Sequence, residues 1–219
     1  MIDLHTHTTA SDGELIPAEL VQRARRKGYT TIGITDHTDP TNIEEIIEST
    51  QKIKRFQKEY SIQILTGVEL THIPPREIPR LAEEAREMGA EIIIVHGETI
   101  AEPVPEGTNL AALGSDIEIL AHPGLITPEE ARLARENNVY LELTSRCGHN
   151  RTNGHVAQIA ERYGAELIVN TDAHGPDDLI TDEEAIKIAI GSGLTPKKAK
   201  QTITNSEKLV KQITKGEYK

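Results

Sequence analysis

A chain of 219 residues can bury one substantial hydrophobic core, and we expect a single domain over residues 1–219. Hydrophobic residues make up 37% of it, with one Phe and no Trp, so the core is one of Ile, Leu, Val and Ala, and stacking platforms for single-stranded nucleic acid are scarce. The formal net charge of -11 disfavours long nucleic acid as a partner but not a small phosphorylated substrate held by local cations.

From the N-terminus onward, short apolar runs rich in β-branched residues alternate with longer segments of helical periodicity. The runs are MIDLHTHT, TTIGITDH, IQILTGVE, AEIIIVHG, IEILAHPG, VYLELTS and AELIVNTDAH. Between them lie PAELVQRARRKG, NIEEIIESTQKIKRFQKEY, REIPRLAEEAREMG, TPEEARLARENN and NGHVAQIAERYG, with apolar residues at three- and four-residue intervals and several Gly stops. The stretch from Glu102 to Gly114 predicts a loop with a short helix, and two further helical segments close the chain. Repeated strand-helix units imply a parallel sheet, open or closed into a barrel.

The single cysteine, Cys147, allows no internal disulfide and fits a reducing compartment. No apolar run is long enough to span a bilayer, and candidate catalytic residues begin at position 5, where a cleaved leader would otherwise sit. We therefore expect a cytoplasmic protein, complete at its N-terminus and without a membrane partner.

Metal-competent side chains collect at the ends of the runs: His5 and His7, His37, Glu69, His96, His122, and Asp172 with His174. Only a barrel brings that many strand ends around one axis, whereas an open sheet gathers ligands at one crevice. Residues two apart on a strand face the same way, so His5 converges with His7 and Asp172 with His174. Asp12 follows in SDG, where Gly13 permits a turn that returns the carboxylate over the barrel mouth. Mixed imidazole and carboxylate donors suit Zn, Mn or Fe, and nine of them suffice for two or three divalent metal ions. Glu69, the one Glu at these tips, is the expected bridge.

In the order HTHTTASDG, ITDH, GVE, VHG, AHP and NTDAH, these segments resemble the PHP family, the polymerase and histidinol phosphatase domains, over almost the whole chain from Ile2 to about Leu209. The resemblance implies a distorted (β/α)7 barrel. It further implies one ion held by His5, His7, Glu69 and Asp172, a second sharing Glu69 with His96 and His122, and a third at Asp12, His37 and His174.

The expected reaction is hydrolysis of a small phosphate monoester, with L-histidinol phosphate as the leading substrate, by attack of a metal-bridging hydroxide on phosphorus. Glu69, His174 and Arg146 are the expected catalytic residues. Arg146 and Arg151, in the unusually polar segment ELTSRCGHNRTNGH, are candidates for a phosphate clamp, with surface salt bridges as the plainer alternative. His149 and His155 are candidate substrate contacts, although His155 at a helix start can instead cap or pack. His72 is expected on the rim, and Glu142 and Asp3 as partners that orient metal-binding histidines. Cys147 does not fit a cysteine phosphatase loop, because Arg151 follows too soon. The alternatives are a nucleotide or oligonucleotide phosphodiesterase or exonuclease, which the same ions can serve, and a metal-dependent amidohydrolase, disfavoured because His96 stands where those enzymes carry a bridging lysine.

Overall fold

Seven extended runs lie side by side, all parallel, in a computed structural model of the chain that describes residues 1–216. Glu217 to Lys219, the last part of the expected domain, lie outside the described residues. The strands are β1 (Ile2–Asp3), β2 (Thr31–Ile34), β3 (His37–Thr38), β4 (Gln63–Leu70), β5 (Ile92–His96), β6 (Ile119–Ala121), β7 (Tyr140–Thr144) and β8 (Leu167–Asn170). β2 and β3 are two pieces of the one run TTIGITDH, and both pair with β4. The order is β1-β2-β4-β5-β6-β7-β8. Beyond their formal ends β1 and β8 meet again: Thr6 bridges Ala173, the His7 amide donates to Ala173 O at 2.9 Å, and the Asp172 amide donates to His5 O at 3.0 Å. The result is the nearly closed, distorted (β/α)7 barrel that the motif order implies.

Alternation along the strands decides which side chains face the axis. On β5, Ile93 and Val95 pack in the large cluster that takes in the helices, while Ile92 and Ile94 belong to a smaller cluster on the other face. His96 continues that second face at the strand's C-terminal tip. Glu69 stands in the same way two and four residues beyond Gly67 and Leu65, and Glu142 two beyond Tyr140. The smaller cluster ends on Leu209 and Val210 of the last helix, Pro196–Lys215, which packs on β8 and β1.

The helices begin where the sequence says they should. The helices Pro128–Glu136 and Asp182–Gly191 each start with a reciprocal capping box, Thr127 with Glu130 and Thr181 with Glu184. The helix Asn153–Tyr163 stops at Gly164 in a left-handed conformation. The long pattern NIEEIIESTQKIKRFQKEY divides into Ile43–Lys54 and the single turn Gln57–Tyr60, because the chain bends at Arg55 and Phe56. The irregular stretch after Glu102 holds one short helix, Thr108–Leu113.

Candidate metal centre

Eight of the nine histidines, all but His155, form one continuous chain of ring contacts at the C-terminal mouth of the barrel. Glu69, fully buried, is at its middle. Its Oε1 lies 3.3 Å from His5 Nε2 and 3.6 Å from His122 Nε2, and its Oε2 lies 2.7 Å from His37 Nδ1 and 3.6 Å from His7 Nε2. Asp172 reaches the same group, with Oδ1 3.2 Å from His7 Nε2 and Oδ2 3.6 Å from His122 Nε2. On the outer side Asp12, more than half exposed, places Oδ1 3.1 Å from His174 Nε2 and 3.5 Å from His37 Nε2. All nine side chains expected to bind metal therefore come together.

Local backbone explains how they do so. After Ile119 and Ala121 face the axis, an extended His122 would point to the helices. A φ of 27° turns it inward, a conformation that costs a non-Gly residue free energy and is concentrated at functional sites. Asp172 is also left-handed, with φ 54°. The turn that returns Asp12 needs Gly13, since a Cβ there would come within 2.6 Å of the His7 carbonyl oxygen.

The donors are buried yet poorly satisfied. His5 Nε2, both ring nitrogens of His7, Glu69 Oε1, His122 Nδ1 and Asp172 Oδ1 have no hydrogen-bond partner among the described residues. Such a concentration of desolvated, unpaired polar atoms would be costly in an ordinary core. Burial, reinforced by neighbouring imidazoles, holds His7 and His122 well below the usual histidine range, so they present neutral, ligating rings. Burial opposes ionisation of Glu69, but His5 and His37 keep its carboxyl well below the usual range. Burial pushes Asp172 up to about 7, with Glu69 adding repulsion. Burial also opposes the charging of His37, yet Glu69 and Asp12 raise it to about 9. A set of acids and imidazoles pulling one another in opposite directions is short of fixed positive charge, and divalent metal suits it. Close donor groups are His5, His7 and Asp172; His5, Glu69 and His122; and His7, Asp12, His37 and His174.

Around the donors runs a layer of orienting hydrogen bonds. His5 Nδ1 lies 2.8 Å from Glu142 Oε2, which also accepts from Asn170 Nδ2 at 2.9 Å. Asp3 accepts from the His5 amide and from Thr171 Oγ1. Glu142 thus stands beside the His5 ring as the sequence placed it, whereas Asp3 meets His5 only at its main-chain amide. Asp36 was not singled out, although it precedes His37 in ITDH. Its carboxylate accepts from the Thr8 amide (2.6 Å), Thr8 Oγ1 (2.8 Å) and Ser11 Oγ (2.7 Å), fixing the loop that carries Asp12. Glu102 was also missed, because it lies in an irregular stretch with no motif. Its carboxylate faces His96 Nε2 at 3.2 Å, His149 Nε2 at 3.4 Å and the half-exposed rim residue His72 at 3.5 Å.

The four expected substrate contacts fare differently. Arg146 Nη1 lies 3.3 Å from Asp178 Oδ2, and that oxygen accepts from the His174 and Gly175 amides, so the guanidinium is docked beside the His174 loop in an ion pair. Arg151 is exposed on the turn His149–Thr152. His149 is buried among the imidazoles. His155 is not brought to the cluster: its Nε2 donates to Ile126 O at 2.8 Å, tying its helix to the loop after β6. Cys147 is exposed.

The PHP domain matches residues 3–212. The chain belongs to the PHP domain family. It is 52% identical over 215 residues to an uncharacterised protein of Methanocaldococcus jannaschii, covering 96% of this chain and 99% of that one. It is 30% identical over 201 residues to a 5'-3' exoribonuclease of Escherichia coli, covering 87% of this chain and 62% of the relative. Among solved structures, an archaeal ribonuclease P with mature tRNA holds a chain that superposes with a TM-score of 0.74 at 16% identity, covering 96% of this chain and 90% of that one. A histidinol phosphate phosphatase of Lactococcus lactis, solved with zinc, L-histidinol and phosphate, gives 0.64 at 18% identity, covering 89% and 94%. PHP members are metal-dependent hydrolases that include phosphatases and nucleases, and the barrel with its donor cluster is of that kind. Among the described residues no helix is long and apolar enough to cross a membrane.

Proposed function

We propose that this protein is a metal-dependent phosphoesterase acting on a small phosphate monoester, with L-histidinol phosphate the first substrate to try. The observation that carries the reading is Glu69, whose two oxygens face different pairs of imidazoles, His5 with His122 and His7 with His37. That is the arrangement of a bridging carboxylate, and the donors around it provide for two or three divalent ions, Zn, Mn or Fe. In our assignment His5, His7, Glu69 and Asp172 hold one ion, Glu69, His96 and His122 a second, and Asp12, His37 and His174 a third.

Divalent ions there would polarise phosphoryl oxygens and make water acidic enough to supply a nucleophile near neutral pH. The chain's own residues do the rest. Glu142 keeps the Nδ1 proton of His5 and so leaves Nε2 free as a donor atom. The buried walls exclude bulk water and strengthen each charge interaction. Arg146, already beside His174, exchanges Asp178 for a phosphate oxygen of the substrate. His174 and Asp12 line the open side, where a leaving alcohol departs.

A second reading, exonuclease action on a nucleic-acid end, is supported by the exoribonuclease relative. The likeness to a chain of ribonuclease P bound to tRNA also weakens the expectation, drawn from net charge, that long nucleic acid is not a partner. Turnover of metal-reconstituted protein on histidinol phosphate, a nucleoside monophosphate and a short 5'-phosphorylated oligoribonucleotide separates the two. Selective phosphate release from the small monoesters supports the first reading, and nucleotide release from the oligomer with no phosphatase activity replaces it with the second.

A further inference from the structure

His149 lies in none of the motifs that carry the family resemblance, and its surroundings differ from those of a mobile substrate contact. It is 7% exposed, on the short turn His149–Thr152 that follows β7. Two devices fix that turn before any ligand arrives. Gly148, at φ 96°, reverses the chain where a side chain would be strained. The Asn153 side chain then clasps Thr144 at the end of β7, donating to its carbonyl at 2.8 Å and accepting from its amide at 3.3 Å.

The ring is oriented as well as placed. Nδ1 lies 3.0 Å from Thr99 Oγ1. With Nδ1 engaged, Nε2 is the remaining nitrogen, 3.4 Å from Glu102 Oε1. His96 is set in the same way, its Nδ1 3.2 Å from Gly97 O and its Nε2 3.2 Å from the other Glu102 oxygen. One nitrogen of each of His96, His122 and His149 lies within 4.8 Å of the others, and all three rings are buried. Donors about 2.0–2.1 Å from a tetrahedral ion are about 3.3 Å apart, so only a small inward movement separates this trio from an ion's coordination sphere. Glu102, facing His96 and His149 from the rim, adds negative charge on the open side.

We propose that His149 is a tenth metal-binding side chain, a third imidazole on the ion held by His96 and His122. The inference rests on the metal centre of the proposed function, but not on which phosphoester is cleaved. A ligand so assigned gives that ion a mostly nitrogen environment, favouring zinc over manganese. It also makes the turn after β7 part of the metal site, with Thr99 as a positioning residue.

The test is metal binding without substrate. Chelator-stripped wild type, His149→Ala and Thr99→Val are titrated with Zn2+ against a competing chromophoric chelator, and Co2+-loaded samples are compared by absorption in the visible. The expected result for His149→Ala is loss of one ion, or at least about a hundredfold weaker binding of it, with a changed cobalt spectrum and unchanged far-ultraviolet circular dichroism. Thr99→Val is expected to weaken the same ion by about tenfold. If His149→Ala keeps the wild-type stoichiometry, affinity and spectrum, the inference is overturned, whatever happens to KM. If wild type binds its ions through His149 but cleaves no phosphoester, the proposed function fails and the inference stands. A wild type that binds no divalent metal overturns both.

Discussion

His5 Nδ1 and Glu142 Oε2 are 2.8 Å apart, and both side chains are fully buried. The contact joins the segment that follows β1 to β7, between residues 137 apart in sequence. Replacing Glu142 with Gln keeps the shape but removes the charge that favours the Nδ1 proton. Affinity for the ion assigned to His5, His7, Glu69 and Asp172 is expected to fall about 10–100-fold, with the fold intact. Calorimetric titration with Zn2+ reads the change.

The unpaired polar atoms around Glu69 and Asp172 are expected to make the protein less stable without divalent metal than with it. An ion present at about a hundred times its Kd adds about 2.7 kcal/mol, which for a chain of this size raises the melting temperature by about 5–10 °C. Differential scanning fluorimetry with and without Zn2+ or Mn2+ shows it, and stripping with a chelator reverses it.

Arg146 touches Asp178 and none of the proposed metal-binding side chains in the contacts described above. Arg146→Ala is therefore expected to raise KM for a phosphate monoester about tenfold or more while metal content stays at the wild-type level. Metal analysis and steady-state kinetics on one preparation check both halves.

Gly124 carries φ 64°, and a Cβ there would come within 1.8 Å of Glu98 O. Since the obstacle is backbone, Gly124→Ala is expected to destabilise the protein by about 2 kcal/mol or more and to displace His122, two residues before it. Urea denaturation gives the first, and weaker metal binding reports the second.

Away from the site, burial pushes Glu118 up to about 7, against the opposing pull of Arg86. A carboxyl whose folded pKa is raised binds its proton more tightly in the native state. Its stabilising contribution is complete below the unfolded value of 4.5 and is lost as pH rises through about 7. Wild type should therefore lose about 1–3 kcal/mol relative to Glu118→Gln between pH 4.5 and 7.5, measured by denaturant unfolding of metal-free protein at each pH.

The barrel and the gathering of nine histidines and carboxylates at its mouth were legible because two local rules combine: apolar runs of period two make strands, and a histidine or carboxylate at the end of six of the seven runs lands on the common mouth. His122 shows where that logic is incomplete, since its inward direction depends on a positive φ that no periodicity reveals. Glu102 and Thr99 come from loop residues whose approach to His149 is set by tertiary packing between the segments after β5 and β7. Asp36 had a visible signal, an acid beside a candidate ligand, and was passed over because its partners, Thr8 and Ser11, lie on another strand's loop. His155 was plausible by type and proximity in sequence, but six residues beyond His149, in the first turn of the helix Asn153–Tyr163, its ring turns to Ile126 O.

If Glu69 bridges ions that drive phosphoester hydrolysis, metal content and turnover must fall together when it is replaced. Divalent metal per chain and phosphatase turnover should be measured on the same samples of wild type and Glu69→Gln after reconstitution. At least two ions per wild-type chain are expected, and a variant that loses occupancy at more than one position together with nearly all turnover. A Glu69→Gln protein that retains its full metal complement and its activity would contradict the bridging role of Glu69.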